Sequence, residues 1–195
     1  MADSVVICRA LGHSAHIKAS AKVENIYNKM GYQVSFKDVP NKRSLVETER
    51  ANCFGEVGRI KGVLKNFPSL RQSAYPIHTI QAFAYGLEDA EKISNWLDLS
   101  EFRVGVARGE LYAEKNLVHA PTIVAGSYDS LVLALREKRV DYIVALSDGM
   151  EGYAGDGKKI MPMSPAIFES HLYHLVHETH QDALYEFDEI LAIQH

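Results

Sequence analysis

The feature of this sequence that most constrains its fold is an order of elements that occurs twice. Residues 5–10 are apolar and β-type. Residues 14–30, capped by Ser14, carry Val23, Ile26, Tyr27 and Met30 at i, i+3, i+4 and i+7, one face of a helix. Gly31 is a natural stop after them. Residues 32–39 alternate, with Tyr32, Val34 and Phe36 on one face and Gln33, Ser35 and Lys37 on the other. Pro40 ends that strand. A short polar helix, opened by Asn41 or Ser44, leads to a third strand over residues 53–57. The order β-α-β-α-β predicts three parallel strands with right-handed crossovers. It returns in the second half as a strand over 102–107, a helix to Asn116, a strand over 122–125, a helix over 129–138 capped by Ser127, and a strand over 140–146. The repeat is one of order, without a sequence period.

Between the two copies, residues 53–86 read as a strand, a cationic loop with Gly62 and Pro68, and a second β-type run ending at Gly86. A chain crosses between two lobes in this way. Residues 168–175 read as extended and cross back. The last helix, over 180–193, has Ala183, Leu184, Phe187, Ile190 and Leu191 on one face. The expected fold is therefore α/β and two-lobed, each lobe a mainly parallel sheet flanked by helices. Residues 1–84 with 170–195 form the first lobe, and 85–169 the second. The glycine-rich stretch 147–157, with Asp148, Glu151 and Asp156, reads as a solvated loop and precedes a strand over 158–163.

Composition bounds the function. The chain of 195 residues is 47% hydrophobic, enough for a core, and its net charge of -4 argues against nucleic acid or an anionic membrane as partner. No apolar run approaches a membrane span. No signal peptide is visible, since a strand begins a few residues from Met1. A native start at Met1 implies the cytoplasm, and a trimmed start leaves an extracytoplasmic home open. Cys8 and Cys53 both fall on expected strands. They read either as reduced core thiols or as a disulfide formed in an oxidising compartment.

Few constellations carry chemistry. Arg59 follows a short strand and the glycines Gly55 and Gly58, and a guanidinium at a strand end suits bidentate binding of a carboxylate. Arg108-Gly109-Glu110 turns from a strand into a helix, where backbone N–H groups attract anions. Its single glycine lacks the pattern of a nucleotide-binding loop. His171, His174, His177 and His180 recur every third residue, but that spacing scatters them around a helix and part of the series falls in a strand. No metal and no cofactor is expected. No catalytic motif is present. Glu56 and Glu110 are the only acid/base pair the residues offer an enzyme.

The order of short motifs is similar to that of extracytoplasmic solute-binding proteins of family 3, with the type II periplasmic-binding-protein fold. VPNKRSLVETERANCFGEVGRI, with Pro40, Arg43, Leu45, Gly55, Gly58, Arg59 and Ile60, resembles the family's first-lobe segment. NFPSLRQSAYPI resembles the approach to its hinge strand. WLDL followed by FRVGVARGELY resembles the start of its second lobe, SYDSLVLALREKRVDYIVA a helix-strand unit of that lobe, and HLYHLVHETHQDALYEFDEILA its returning strand and final helix. The resemblance implies two hinge strands and closure on a small, carboxylate-bearing or amino-acid-like solute. It implies no chemistry, a monomer, and delivery to the permease of an ABC transporter or to a sensor partner. Arg59 and Arg108 would supply charge. Gly109, Ser127 and Ser147 would supply polar contacts at turns, and Tyr75, Tyr85 and Tyr128 an apolar wall. Where the family carries an acidic residue for a ligand amine, this chain has Ala145-Leu146, with Ser147 and Asp148 following. A ligand-sensing domain and a small dehydratase-type enzyme on the same fold are the alternatives.

Overall fold

The computed structural model describes residues 3–153 and 159–193, so Asp156 of the acidic loop lies outside the described residues. The chain divides into two compact units. One runs up to Thr79 and resumes at Ser170; the other is Ile80–Glu169.

In the first unit, β1 (Ser4–Ala10) pairs in parallel with β2 (Gln33–Val39) and with β3 (Gly55–Arg59). The returning strand β10 (Phe168–His177) lies antiparallel to β3, and the short β4 (Leu70–Gln72) adds antiparallel to β10. Helix α1 (Ser14–Lys29) buries Val23, Ile26 and Tyr27, as its periodicity requires, and Gly31 continues the chain at φ +88°. The residue preceding α1 is His13, which makes no side-chain cap, so Ser14 is the first helical residue and not the cap. Helix α2 (Asn41–Glu49) and helix α6 (Gln181–Ala192) complete the unit. Phe187 of α6 stacks on His174 and packs against Tyr27.

In the second unit, β8 (Tyr142–Leu146), β6 (Val104–Ala107) and β7 (Thr122–Ala125) are parallel. β5 (His78–Leu87) runs antiparallel to β8, and β9 (Ile160–Pro162) antiparallel to β5. Helix α3 (Leu111–Asn116) follows β6, α4 (Tyr128–Arg136) follows β7, and the single turn α5 (Ser147–Met150) follows β8. The Ser127 hydroxyl caps α4 by accepting the Ser130 N–H at 3.2 Å. β5 and β10 are the two strands that pass from one unit to the other. Thr79 Oγ1 lies 3.0 Å from His171 Nδ1 in the first unit, and Gln81 Nε2 donates to Glu169 at 2.7 Å in the second.

Two local expectations change. Cys53 lies in the turn before β3, not on a strand, and is joined to Cys8 by a disulfide with a Cα–Cα separation of 5.7 Å. The loop after β3 is not uniformly irregular, because Leu70 is buried against Leu175 and brings β4 onto β10.

Candidate functional site

The first unit builds a buried charge network where β3 ends. Glu56 is 0% exposed and Arg59 9% exposed. Arg59 Nη2 donates to Glu56 Oε1 at 2.8 Å, and the same group reaches the Asn41 carbonyl at 2.8 Å and the Ser44 hydroxyl at 2.5 Å. Its other terminal nitrogen donates to Asn41 Oδ1. The Ser44 hydroxyl also donates to Glu56 at 3.1 Å. His16 brings Nδ1 to 3.6 Å from the same carboxyl and accepts the Ala10 N–H through that nitrogen. Burial pushes the Glu56 carboxyl up to about 7 against the pull of Arg59, and pushes His16 well below the usual imidazole range. Arg59, expected at a strand end to meet a solute carboxylate, is thus buried and paired within the unit. Its charge is met inside the unit by Glu56, and its fork is held by Asn41 and Ser44. Tyr75 lies in the same unit, half-exposed, with its carbonyl accepting the Ser73 hydroxyl at 2.8 Å.

The other six expected residues fall in the second unit: Tyr85 within β5, and the other five just beyond the C-terminal ends of the parallel strands β6, β7 and β8. In open α/β sheets such ends face ligands. Arg108 and Gly109 follow β6, with Arg108 exposed and Gly109 at φ +90°, a turn that suits glycine. Ser127 and Tyr128 follow β7, and Ser147 follows β8. The structure brings Tyr85 and Ser147 together in a pocket of about 230 Å³ with Met150, Glu151, Tyr153 and Ile160. Tyr128 turns toward the β6–α3 turn and donates its hydroxyl to Glu110 at 3.1 Å. Its ring lies flat against Gly149, where any Cβ would come within 2.6 Å of it. Tyr112 stacks on Phe168 at 4.4 Å, and its buried hydroxyl lies beside Glu110.

Burial pushes the Glu110 carboxyl up, against the hydrogen bond from Tyr128. The Tyr112 and Tyr128 phenols rise for the same reason, with the Glu110 charge adding to it. The Tyr85 phenol is pushed up to about 12, by burial first and then by Asp148 and Glu151. Sequence reasoning names Glu110 only as an acid/base candidate and does not find Tyr112. A glutamate directly after a strand-turn glycine is the one signal that marks the first, and nothing marks the second.

The histidine series is dispersed. His171 meets Thr79, His174 is buried on Tyr27 Oη at 2.9 Å, His177 meets Thr179, and His180 stacks on Phe54 at 3.9 Å. Among the described residues no group of three His, Cys, Asp or Glu side chains is placed to hold a metal ion.

The chain matches no protein-family model and no curated protein sequence. Solved structures match along nearly its whole length. The arginine-bound form of truncated ArgBP from T. maritima is 11% identical with a TM-score of 0.74, over 98% of this chain and 96% of that one. An ancestral arginine-binding protein bound to glutamine is 15% identical with a TM-score of 0.75, over 98% and 92%. An arginine 3rd transport system periplasmic binding protein from Legionella pneumophila is 13% identical with a TM-score of 0.73, over 97% and 92%. The fold is thus that of the periplasmic binding proteins, α/β with two units and two crossing strands. Two further structural neighbours are substrate-binding proteins of amino-acid ABC transporters.

Proposed function

We propose that this chain is a solute-binding protein that captures a small solute and presents it, as a monomer, to the permease of an ABC transporter. The observation that carries this reading is the match to such proteins over nearly the whole chain, both units and both crossing strands included. The solute is amino-acid-like. Its contacts are drawn from Tyr75, Tyr85, Arg108, Gly109, Ser127, Tyr128 and Ser147. Arg59 acts as a positioning residue that stiffens the end of β3. The Cys8–Cys53 disulfide supports a periplasmic or extracytoplasmic location, because such bonds persist in oxidising compartments. The dehydratase-type alternative needs Glu56 free to exchange protons with a substrate. Its complete burial and its pairing with Arg59 weigh against that role.

A thermal-shift screen against amino acids, carboxylates and polyamines tests the reading. A bound solute at a hundredfold excess over Kd stabilises the fold by about 2.7 kcal/mol. A midpoint that no small solute raises would remove the solute-binding function.

A further inference from the structure

A further hollow of the second unit is lined by none of the residues expected to meet the solute. It holds about 310 Å³, at the low end of the range for small-molecule sites, against about 230 Å³ for the pocket at Tyr85 and Ser147. Its place follows from the sheet. Arg103 directly precedes β6 and Asp141 directly precedes β8, and the two strands are parallel. Both residues therefore mark the N-terminal edge of the sheet, whereas Arg108 and Ser147 follow the same strands at the other edge. Four or five residues of strand separate the edges, roughly 15 Å. A solute held at the C-terminal ends does not reach this hollow.

The floor of the hollow is apolar. Leu135, Val140 and Tyr142 are buried beneath it, and Phe102 is half-buried. Its walls are tied down. The Tyr142 hydroxyl donates to the Glu91 carbonyl at 2.9 Å and holds the loop after β5 in place. Arg103 directs its guanidinium at Asp141, with Nε to Oδ2 at 3.0 Å and Nη2 to Oδ1 at 2.6 Å, so that this pair neutralises itself. The remaining charged residues of the lining are Lys138 and, against it, Asp89 and Glu91. Lys138 follows α4 at φ +56°, where its N–H donates to the Leu135 carbonyl at 3.0 Å and closes the helix. Glycine takes this conformation without steric cost, and a lysine does not. The Lys138 ammonium makes no hydrogen bond or ion pair among the described residues. The chain thus keeps a long cationic side chain, at a cost in stability, beside an apolar floor, and does not use its charge inside the fold. Residues held in such backbone conformations cluster at functional sites.

We propose that this hollow is a second ligand site, which takes a small monocarboxylate with an apolar body. The carboxylate meets Lys138, and the body lies on Phe102, Leu135, Val140 and Tyr142. Asp89 and Glu91 repel a second anionic group, which disfavours dicarboxylates. The ligand is bound in addition to any transported solute, and the site does not rest on the solute-binding reading above.

Calorimetric titration with benzoate, benzyl alcohol and succinate tests this on wild type, Lys138→Gly, Lys138→Arg and Arg108→Ala. Wild type should bind benzoate at millimolar concentration or below, and should bind the alcohol and succinate more weakly. Lys138→Gly should weaken benzoate binding about fivefold, the scale of one exposed ion pair, while the melting temperature rises because the backbone strain is relieved. Lys138→Arg, which keeps the charge, should bind benzoate as wild type does. No heat with benzoate, equal binding of the alcohol, or unchanged affinity in Lys138→Gly overturns the site. A lower melting temperature in Lys138→Gly also overturns it, by giving Lys138 a structural role. A loss of benzoate binding in Arg108→Ala but not in Lys138→Gly would place the probe at the other edge of the sheet, with the same result.

Discussion

Replacing Arg59 by alanine should unfold the first unit more readily than any surface change, and by an amount that depends on pH. In the native protein the Glu56 carboxyl is fully buried and lies at about 7 instead of its ordinary 4.5, even with the guanidinium 2.8 Å away. At 1.36 kcal/mol per pH unit, that rise corresponds to about 3 kcal/mol. The folded state holds this proton to higher pH than the unfolded chain does. The contribution is therefore negligible well below pH 4.5 and destabilises progressively as pH rises through 7. Removing Arg59 takes away the attraction that opposes the burial cost, so the carboxyl rises further and the penalty grows with pH. At pH 8 the loss should be about 3–5 kcal/mol, the range for breaking a buried pair from one side. At pH 5, where Glu56 is protonated in both proteins, only the hydrogen bonds to Asn41 and Ser44 are lost, worth about 1–2 kcal/mol together. The double variant Glu56→Gln, Arg59→Ala should recover part of the pH 8 loss. Urea denaturation followed by circular dichroism at the two pH values measures all three proteins. An Arg59→Ala loss below about 1 kcal/mol at both pH values would mean that the guanidinium is not the partner of Glu56, and would return it to the set of groups free to meet a solute carboxylate.

Three further expectations follow from single contacts. The Cys8–Cys53 bond spans 45 residues, so a reduced or Cys8→Ser, Cys53→Ser protein should lose about 4 kcal/mol by the loop-entropy relation, read from the urea midpoint with and without reductant. His174 is buried neutral, at about 4 instead of 6.5; unlike the unfolded chain, the folded protein does not take up this proton as pH falls from 6.5 to 4. Stability should therefore fall by about 3 kcal/mol across that window, and the difference between wild type and His174→Phe should carry that slope. Gly149→Ala would place a Cβ 2.6 Å from Tyr128 Cζ, so the ring must move. The variant should lose about 1–3 kcal/mol in thermal unfolding, and a neutral effect would show that the ring is not held against this turn.

The parts of the fold legible in the sequence are those fixed by local periodicity. The 3.6-residue repeat of Val23, Ile26 and Tyr27 describes α1, the unbroken apolar run of residues 142–146 describes β8, and Ser127 caps α4 through a bond to a residue three positions on. The missed parts depend on partners far away in sequence. β4 has three residues of a polar stretch and exists because β10 offers it an edge. The disulfide depends on a Cα separation that spacing does not determine. The Glu56–Arg59 pair is hidden by a local rule, since strand residues three apart point to opposite faces and only the length of the arginine chain lets it reach back. Tyr112 contributes to its site through stacking on Phe168, and no pattern within α3 reveals that.

The charge arrangement of the β6–α3 turn bears on which solutes suit this protein. Arg108 is exposed and Glu110, two residues on, is half-buried beside two phenols. Gly109, at positive φ, lets the chain reverse between them. One tight turn thus carries a solvated cation and a desolvated carboxyl. The two are not equal in binding. A solvated guanidinium attracts a solute anion weakly, because water already screens it, whereas a buried carboxyl gains strongly from a cation that follows it out of water. A solute with two anionic groups would be drawn by Arg108 and repelled by Glu110, and the repulsion acts at lower effective dielectric. A zwitterion or an organic cation meets no such conflict.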